Sequence, residues 1–84
     1  MASLDVLFND YANKVKTLTR QPSNDELSSL YGLYKQATMG DNNTSKPSFL
    51  DLKGRAKWDA WTAKKGVSQD DAKRQYIEFV KKLL

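Results

Sequence analysis

The chain has neither cysteine nor histidine among its 84 residues. Without thiols there can be no disulfide and no thiolate metal site. Without imidazole the usual zinc, haem and Ser–His–Asp arrangements are excluded too. No apolar run approaches the roughly 20 residues of a membrane span. Residues 1–11 have no basic opening and carry Asp5 and Asp10 inside their apolar part, so they do not read as a signal peptide. A reducing compartment, the cytoplasm, is the expected location. What is left is 39% hydrophobic and 29% charged, a soluble chain that must fold by packing alone. At this length it reads as one domain, residues 1–84, burying only about 60% of its unfolded surface.

Charge is unevenly spread. Residues 46–65 hold six bases (Lys46, Lys53, Arg55, Lys57, Lys64, Lys65) against Asp51 and Asp59, an excess equal to the whole net charge of +4. A focused positive patch on a near-neutral body suits an anionic ligand better than a wrapped nucleic acid, and it equally suits a solvated lysine face. The base count is small and no DNA- or RNA-binding motif is present, so a nucleic-acid partner is not expected.

Four segments have helical period. Leu4, Leu7, Phe8, Tyr11, Val15 and Leu18 form the first apolar stripe, ended by Arg20-Gln21-Pro22. Ser23-Asn24-Asp25-Glu26 has the form of a capping box. Behind it run Leu27, Leu30, Tyr31, Tyr34 and Ala37, with Gly40 as a C-terminal stop. The third helix is expected from Asp51 to near Gly66, with Leu52, Ala56 and Trp61 on one side. The fourth starts at Ser68, where Ser68-Gln69-Asp70-Asp71 resembles another capping box, and buries Ala72, Tyr76, Phe79, Val80 and Leu83. Residues 39–50 are rich in turn formers and read as a loop. It is long enough to return the chain to the same end and leave the second and third helices parallel. No segment has a strand's period of two, so the expected class is all-α with four helices.

Catalysis is poorly supplied. Asp70 and Asp71 point in different directions on a helix and suit its first turn. Gly40-Asp41-Asn42-Asn43 lacks the spacing of a phosphate loop or a calcium loop. Neither a catalytic residue nor a metal or cofactor site is expected. The notable constellation is Tyr31, Tyr34 and Lys35 at i, i+3 and i+4 on the second helix. Lys53 and Lys57 stand one turn apart on the third, Lys16 near the end of the first, and Tyr76 on the fourth. Converging faces would offer stacking surfaces for a purine and ammonium donors for phosphates. Half-buried core aromatics have the same spacing, and the residues by themselves leave both readings open.

The run Tyr34-Lys35-Gln36-Ala37-Thr38-Met39-Gly40-Asp41, then Asn43-Thr44, Lys46-Pro47 and Leu50-Asp51, continues through Lys53-Gly54-Arg55-Ala56-Lys57-Trp58-Asp59-Ala60-Trp61. This pattern resembles the signature region of the acyl-CoA-binding protein family, and the likeness covers essentially the whole chain. The resemblance implies a four-helix bundle of up-down-down-up topology with a long loop between helices 2 and 3. It also implies a cytoplasmic, monomeric, non-catalytic carrier of medium- and long-chain acyl-CoA esters. Tyr31, Tyr34, Lys35, Lys57 and Tyr76 match the family's main ligand contacts, and Lys16 and Lys53 its secondary basic ones. Tyr34 would stack on adenine, while Tyr31, Lys35 and neighbouring lysines hold the 3′-phosphate. The acyl chain would lie in a groove between the first three helices, with Met39, Leu27 and Phe49 as contributors. Acyl-CoA-using enzymes and membrane surfaces would be transient partners. The alternative is a basic-patch membrane-surface or protein-interaction module.

Gly32 and Leu33 stand where many relatives carry polar residues. Leu33 is therefore expected to extend the apolar groove, and Gly32 to loosen its helix or to matter for packing or ligand approach, so that both bear on the preferred acyl-chain length. Trp58 and Trp61 are expected to pack the third helix.

Overall fold

The computed structural model describes residues 3–84. Helices α1 (Leu4–Lys14), α2 (Asn24–Met39), α3 (Leu52–Thr62) and α4 (Gln69–Leu83) follow in order, with a 3-10 turn at Val15–Thr17. Among the described residues there is no strand, and no helix is long and apolar enough to cross a membrane.

Each helix opens on a side-chain cap that satisfies an otherwise orphaned amide. Ser3 accepts from the Val6 amide at 3.2 Å and Asp51 from that of Gly54 at 3.0 Å. At α2 the capping box is complete: Ser23 Oγ accepts from the Glu26 amide at 3.1 Å, and Glu26 accepts from the Ser23 amide at 2.8 Å. That bond, with the Arg20 charge beside it, holds the Glu26 carboxyl below its ordinary range. At α4 only half of the expected box forms. Ser68 Oγ accepts from the Asp71 amide, but Asp71 pairs with Arg74 at 2.9 Å. An aspartate is one methylene shorter than the Glu or Gln that reaches back in a full box.

Two helices are shorter than expected. α1 stops at Lys14 rather than continuing to Leu18, because the Thr17 hydroxyl donates to the Lys14 carbonyl at 2.8 Å as the chain tightens into the 3-10 turn. α3 stops at Thr62, and turns carry the chain to Gly66 at φ +90°.

The contacts fix the topology. α1 and α4 run parallel, since Asp5 meets Lys73 at 2.6 Å and, two turns on, Tyr11 meets Lys81. α2 and α4 are antiparallel: the end of α2 meets the start of α4 where Gln69 donates to the Ala37 carbonyl. α2 and α3 are parallel, with Leu27 beside Leu52 near their starts and the Gly40 carbonyl bonded by Trp61 near their ends. This is the up-down-down-up bundle, made possible by the long loop between α2 and α3.

The core lies between α4, α2 and α1. Ala72, Tyr76, Ile77 and Val80 of α4 pack on Leu30, Leu33 and Ala37 of α2 and Phe8 of α1. Each large side chain buried there contributes about 1.5–3 kcal/mol. Ile77 replaces Phe79 and Leu83 in the fully buried set, both of which are half-buried. Leu33 belongs to this core and does not extend the groove as expected.

α3 is held differently. Its one buried side chain is Trp61. Leu52 and Ala56 are exposed, correcting the expectation that they share a side with Trp61. At about 100° per residue, Trp61 stands some 140° round the helix from Ala56. Hydrogen bonds from the loop do much of the holding. The indole N–H of Trp61 donates to the Gly40 carbonyl at 2.8 Å, and that of Trp58 to the Thr44 carbonyl at 3.0 Å. Asn42 donates to Thr62 Oγ1 and accepts from the Thr44 amide and hydroxyl. Asp41 accepts from Gln36 at 2.7 Å and from the Gly66 amide at 2.9 Å, and both bonds lower its pKa. The buried Gln36 also donates to the Val67 carbonyl at 2.7 Å. Gly32 completes the attachment. A Cβ there would run into the Ala60 carbonyl oxygen and lie 2.9 Å from its carbon. A mid-helix glycine costs about 1 kcal/mol relative to alanine; here it lets two backbones touch. Its role is packing, and it does not loosen α2.

Candidate ligand-binding site

The first half of α2 presents Asn24, Leu27, Ser28 and Tyr31 at i, i+3, i+4 and i+7, which is one helix face. Opposite them, α3 presents Leu52, Lys53, Ala56 and Lys57. Between the parallel helices lies a groove of about 640 Å³, lined by these eight residues. Leu27, Leu52, Ala56 and the Tyr31 ring supply apolar walls, while Lys53 and Lys57 supply positive charge. The Lys57 ammonium lies 5.6 Å from the centroid of the Tyr31 ring, within cation–π reach. Leu52 remains 76% exposed although its neighbours form a helix.

A second cluster joins the groove through α2. Phe8 stacks on Tyr34 at 5.6 Å between centroids and meets Tyr76 edge-on at 5.1 Å; Tyr34 and Tyr76 are 6.0 Å apart. Tyr34 is pinned on this support but stays 43% exposed, leaving ring surface for a flat partner. Tyr76 is buried, and burial together with the Tyr34 phenol raises its pKa. It therefore remains a neutral hydroxyl at physiological pH.

The expected constellation is thus brought together in parts. Tyr31, Lys53 and Lys57 share the groove, and Tyr34 and Tyr76 share the aromatic cluster. Lys35 is held 4.8 Å over the Trp61 ring. Tyr31, Tyr34 and Lys35 do not face one way: Tyr34 turns toward α1 and Lys35 toward α3, as their separation of about 100° requires. Lys16 lies exposed on the 3-10 turn and lines neither the groove nor the cluster. Among the described residues, none of Lys16, Lys35, Lys53 and Lys57 forms an ion pair with a carboxylate. Lys53 and Lys57 thus bring uncompensated positive charge to the groove, an arrangement suited to a multiply charged anion.

The groove is lined by α2 and α3 alone, not by three helices. Leu27 lines it, whereas Met39 at the far end of α2 and Phe49 in the loop do not. Sequence reasoning missed Asn24, Ser28, Leu52 and Ala56 as lining residues and Phe8 as the support of both tyrosines. The 24–27–28–31 spacing is a usable signal, but Asn24 reads as part of the capping box, Leu27 and Tyr31 as members of the apolar stripe, and Ser28 as neither. Among the described residues, no group of three or more metal-ligating side chains comes together.

A family model described as acyl CoA binding protein matches residues 5–80. The acyl-CoA-binding protein homolog 1 of Caenorhabditis elegans is 56% identical over 77 residues, covering 92% of this chain and 90% of that protein. The crystal structure of Oryza sativa acyl-CoA-binding protein 2 superposes with a TM-score of 0.93 at 47% identity, covering 96% of this chain and 90% of the other. The solution structure of the yeast acyl coenzyme A binding protein gives 0.72 at 51% identity, over 92% and 90% of the two chains.

Proposed function

The chain belongs to the acyl-CoA-binding protein family, and from this premise we propose that it binds, sequesters and carries medium- and long-chain acyl-CoA esters without transforming them. The observation that carries the reading is an apolar groove bordered by Lys53 and Lys57, which pair with no carboxylate among the described residues. The two ends of such a ligand bind for different reasons. Each methylene taken into the groove contributes about 0.8 kcal/mol. The nucleotide end supplies orientation: Tyr34 stacks on adenine, with Phe8 and Tyr76 behind it. Tyr31, Lys35, Lys53 and Lys57 meet the phosphates and Lys16 adds long-range attraction. A lysine is a point-charge phosphate binder, so several must act together. The protein works as a monomeric cytoplasmic carrier, its 84 residues acting as one domain. Transient contacts with acyl-CoA-using enzymes or membrane surfaces pass the ligand on.

Isothermal titration calorimetry on delipidated protein tests this, with palmitoyl-CoA as ligand and CoA and palmitate as controls. Tight one-to-one binding of the ester, with both halves much weaker, is expected. A folded, ligand-free protein that ignores palmitoyl-CoA would overturn the proposal.

A further inference from the structure

We infer that Gly32 is a specificity-determining residue: its backbone contact with Ala60 sets the width and the inner end of the groove, and so the length of acyl chain it accepts. The inference rests on the acyl-CoA reading above. Every groove-lining residue lies N-terminal to this contact on its own helix: Asn24 to Tyr31 on α2, Leu52 to Lys57 on α3. Because the helices are parallel, the groove runs up to the point where they touch and ends there. The touching atoms are backbone, which cannot rotate aside as a side chain does. Nor is α3 spaced from α2 by a thick apolar layer, since Trp61 is its one buried side chain. The Trp61–Gly40 bond lies on the far side of the contact from the groove, and the Lys57–Tyr31 contact on the groove side joins two long side chains that can move. Gly32–Ala60 is therefore the spacer nearest the ligand, and a Cβ at position 32 must move the two helices apart.

The test is a titration series of straight-chain acyl-CoAs from octanoyl to eicosanoyl, with CoA alone as control. In the wild type, affinity should rise about fourfold per methylene while the chain still enters the groove, then level off. Gly32→Ala should move that break to longer esters, whatever offset the parted helices put on CoA alone. Gly32→Ser is the second variant, because its hydroxyl can donate to the Ala60 carbonyl as the helices part; it should shift the break in the same direction. An unmoved break in folded variants would overturn the inference while the function stands, and so would a uniform loss across the series. A wild type with no break in the series would also overturn it. Loss of the helical circular dichroism signal in both variants would make Gly32 a requirement of the bundle and overturn its role as a groove dimension. A wild type that binds no ester defeats the functional reading itself.

Discussion

The two sides of α2 are built on different principles. Toward α4 and α1 it packs Leu30, Leu33 and Ala37 into a continuous apolar core. Toward α3 it meets a backbone contact at Gly32, the Trp61 ring of α3 and a set of loop hydrogen bonds, with an open groove beside them. The core side carries only smaller clefts, of about 380 and 320 Å³, and the groove side has little apolar burial to hold it closed. A small domain without disulfide or metal must place most of its stability on one face if the other is to stay open. Tyr34 stands at the junction: its ring is anchored on the core residue Phe8 and still exposed toward the site.

The sharpest test of this division is Trp61, the one side chain that belongs to the groove side yet is buried. Trp61→Ala should cost about 3–5 kcal/mol in urea denaturation, because it removes a buried ring together with the bond to Gly40. Unchanged stability would mean that α3 needs no anchor beyond the loop. Next in size is Tyr34→Ala, which should weaken binding of palmitoyl-CoA by about 1–3 kcal/mol through lost stacking; equal affinity in calorimetry would remove the adenine role. Lys35→Ala should weaken CoA more than its 3′-dephospho analogue, and equal losses for the two ligands would reassign the phosphate contact. Raising salt from low to physiological strength should weaken ester binding moderately, since the lysines are exposed and screened. A salt-independent affinity would leave the groove as the whole of the site.

The smallest effect concerns acid. Asp41 and Glu26 both have pKa values below their ordinary 3.8 and 4.5. A carboxylate lowered by folding adds stability that is fully present above its unfolded value and is lost as pH falls through the folded one. Stability should therefore hold down to the unfolded carboxylate range and decline below it. Asp41→Asn should flatten part of that decline in thermal melts taken across the range, and a decline of undiminished depth would show that Asp41 carries none of it.

The helices were legible in the sequence because caps and apolar period are local. Ser23 with Glu26, Gly40, and the 72–76–80 row each announce themselves within a few residues. The parallel course of α2 and α3 was permitted by loop length and implied by the family resemblance. What stayed hidden depended on rotation about a helix or on partners far along the chain. Leu33 and Ile77 could be placed in the core only once α4 was known to lie across α2. Leu52 and Ala56 are expected on one side with Trp61, and the helical rotation separates them. Gly32 stood out as a defect in its helix, and its reason is a carbonyl 28 positions away. The tyrosines and lysines were legible as residue types, and their division between a groove and an aromatic cluster was not.

The pairing of α1 with α4 also sets an order of events during synthesis. Asp5 and Lys73 are neighbours in space, and Phe8 rests on Tyr76, so the first helix finds its place only when the last has emerged from the ribosome. Until then the chain has caps and turns but half a core, and closing so long a segment carries an entropic cost that local contacts do not repay early. The fold is completed only once α4 is available for α1 to pack against.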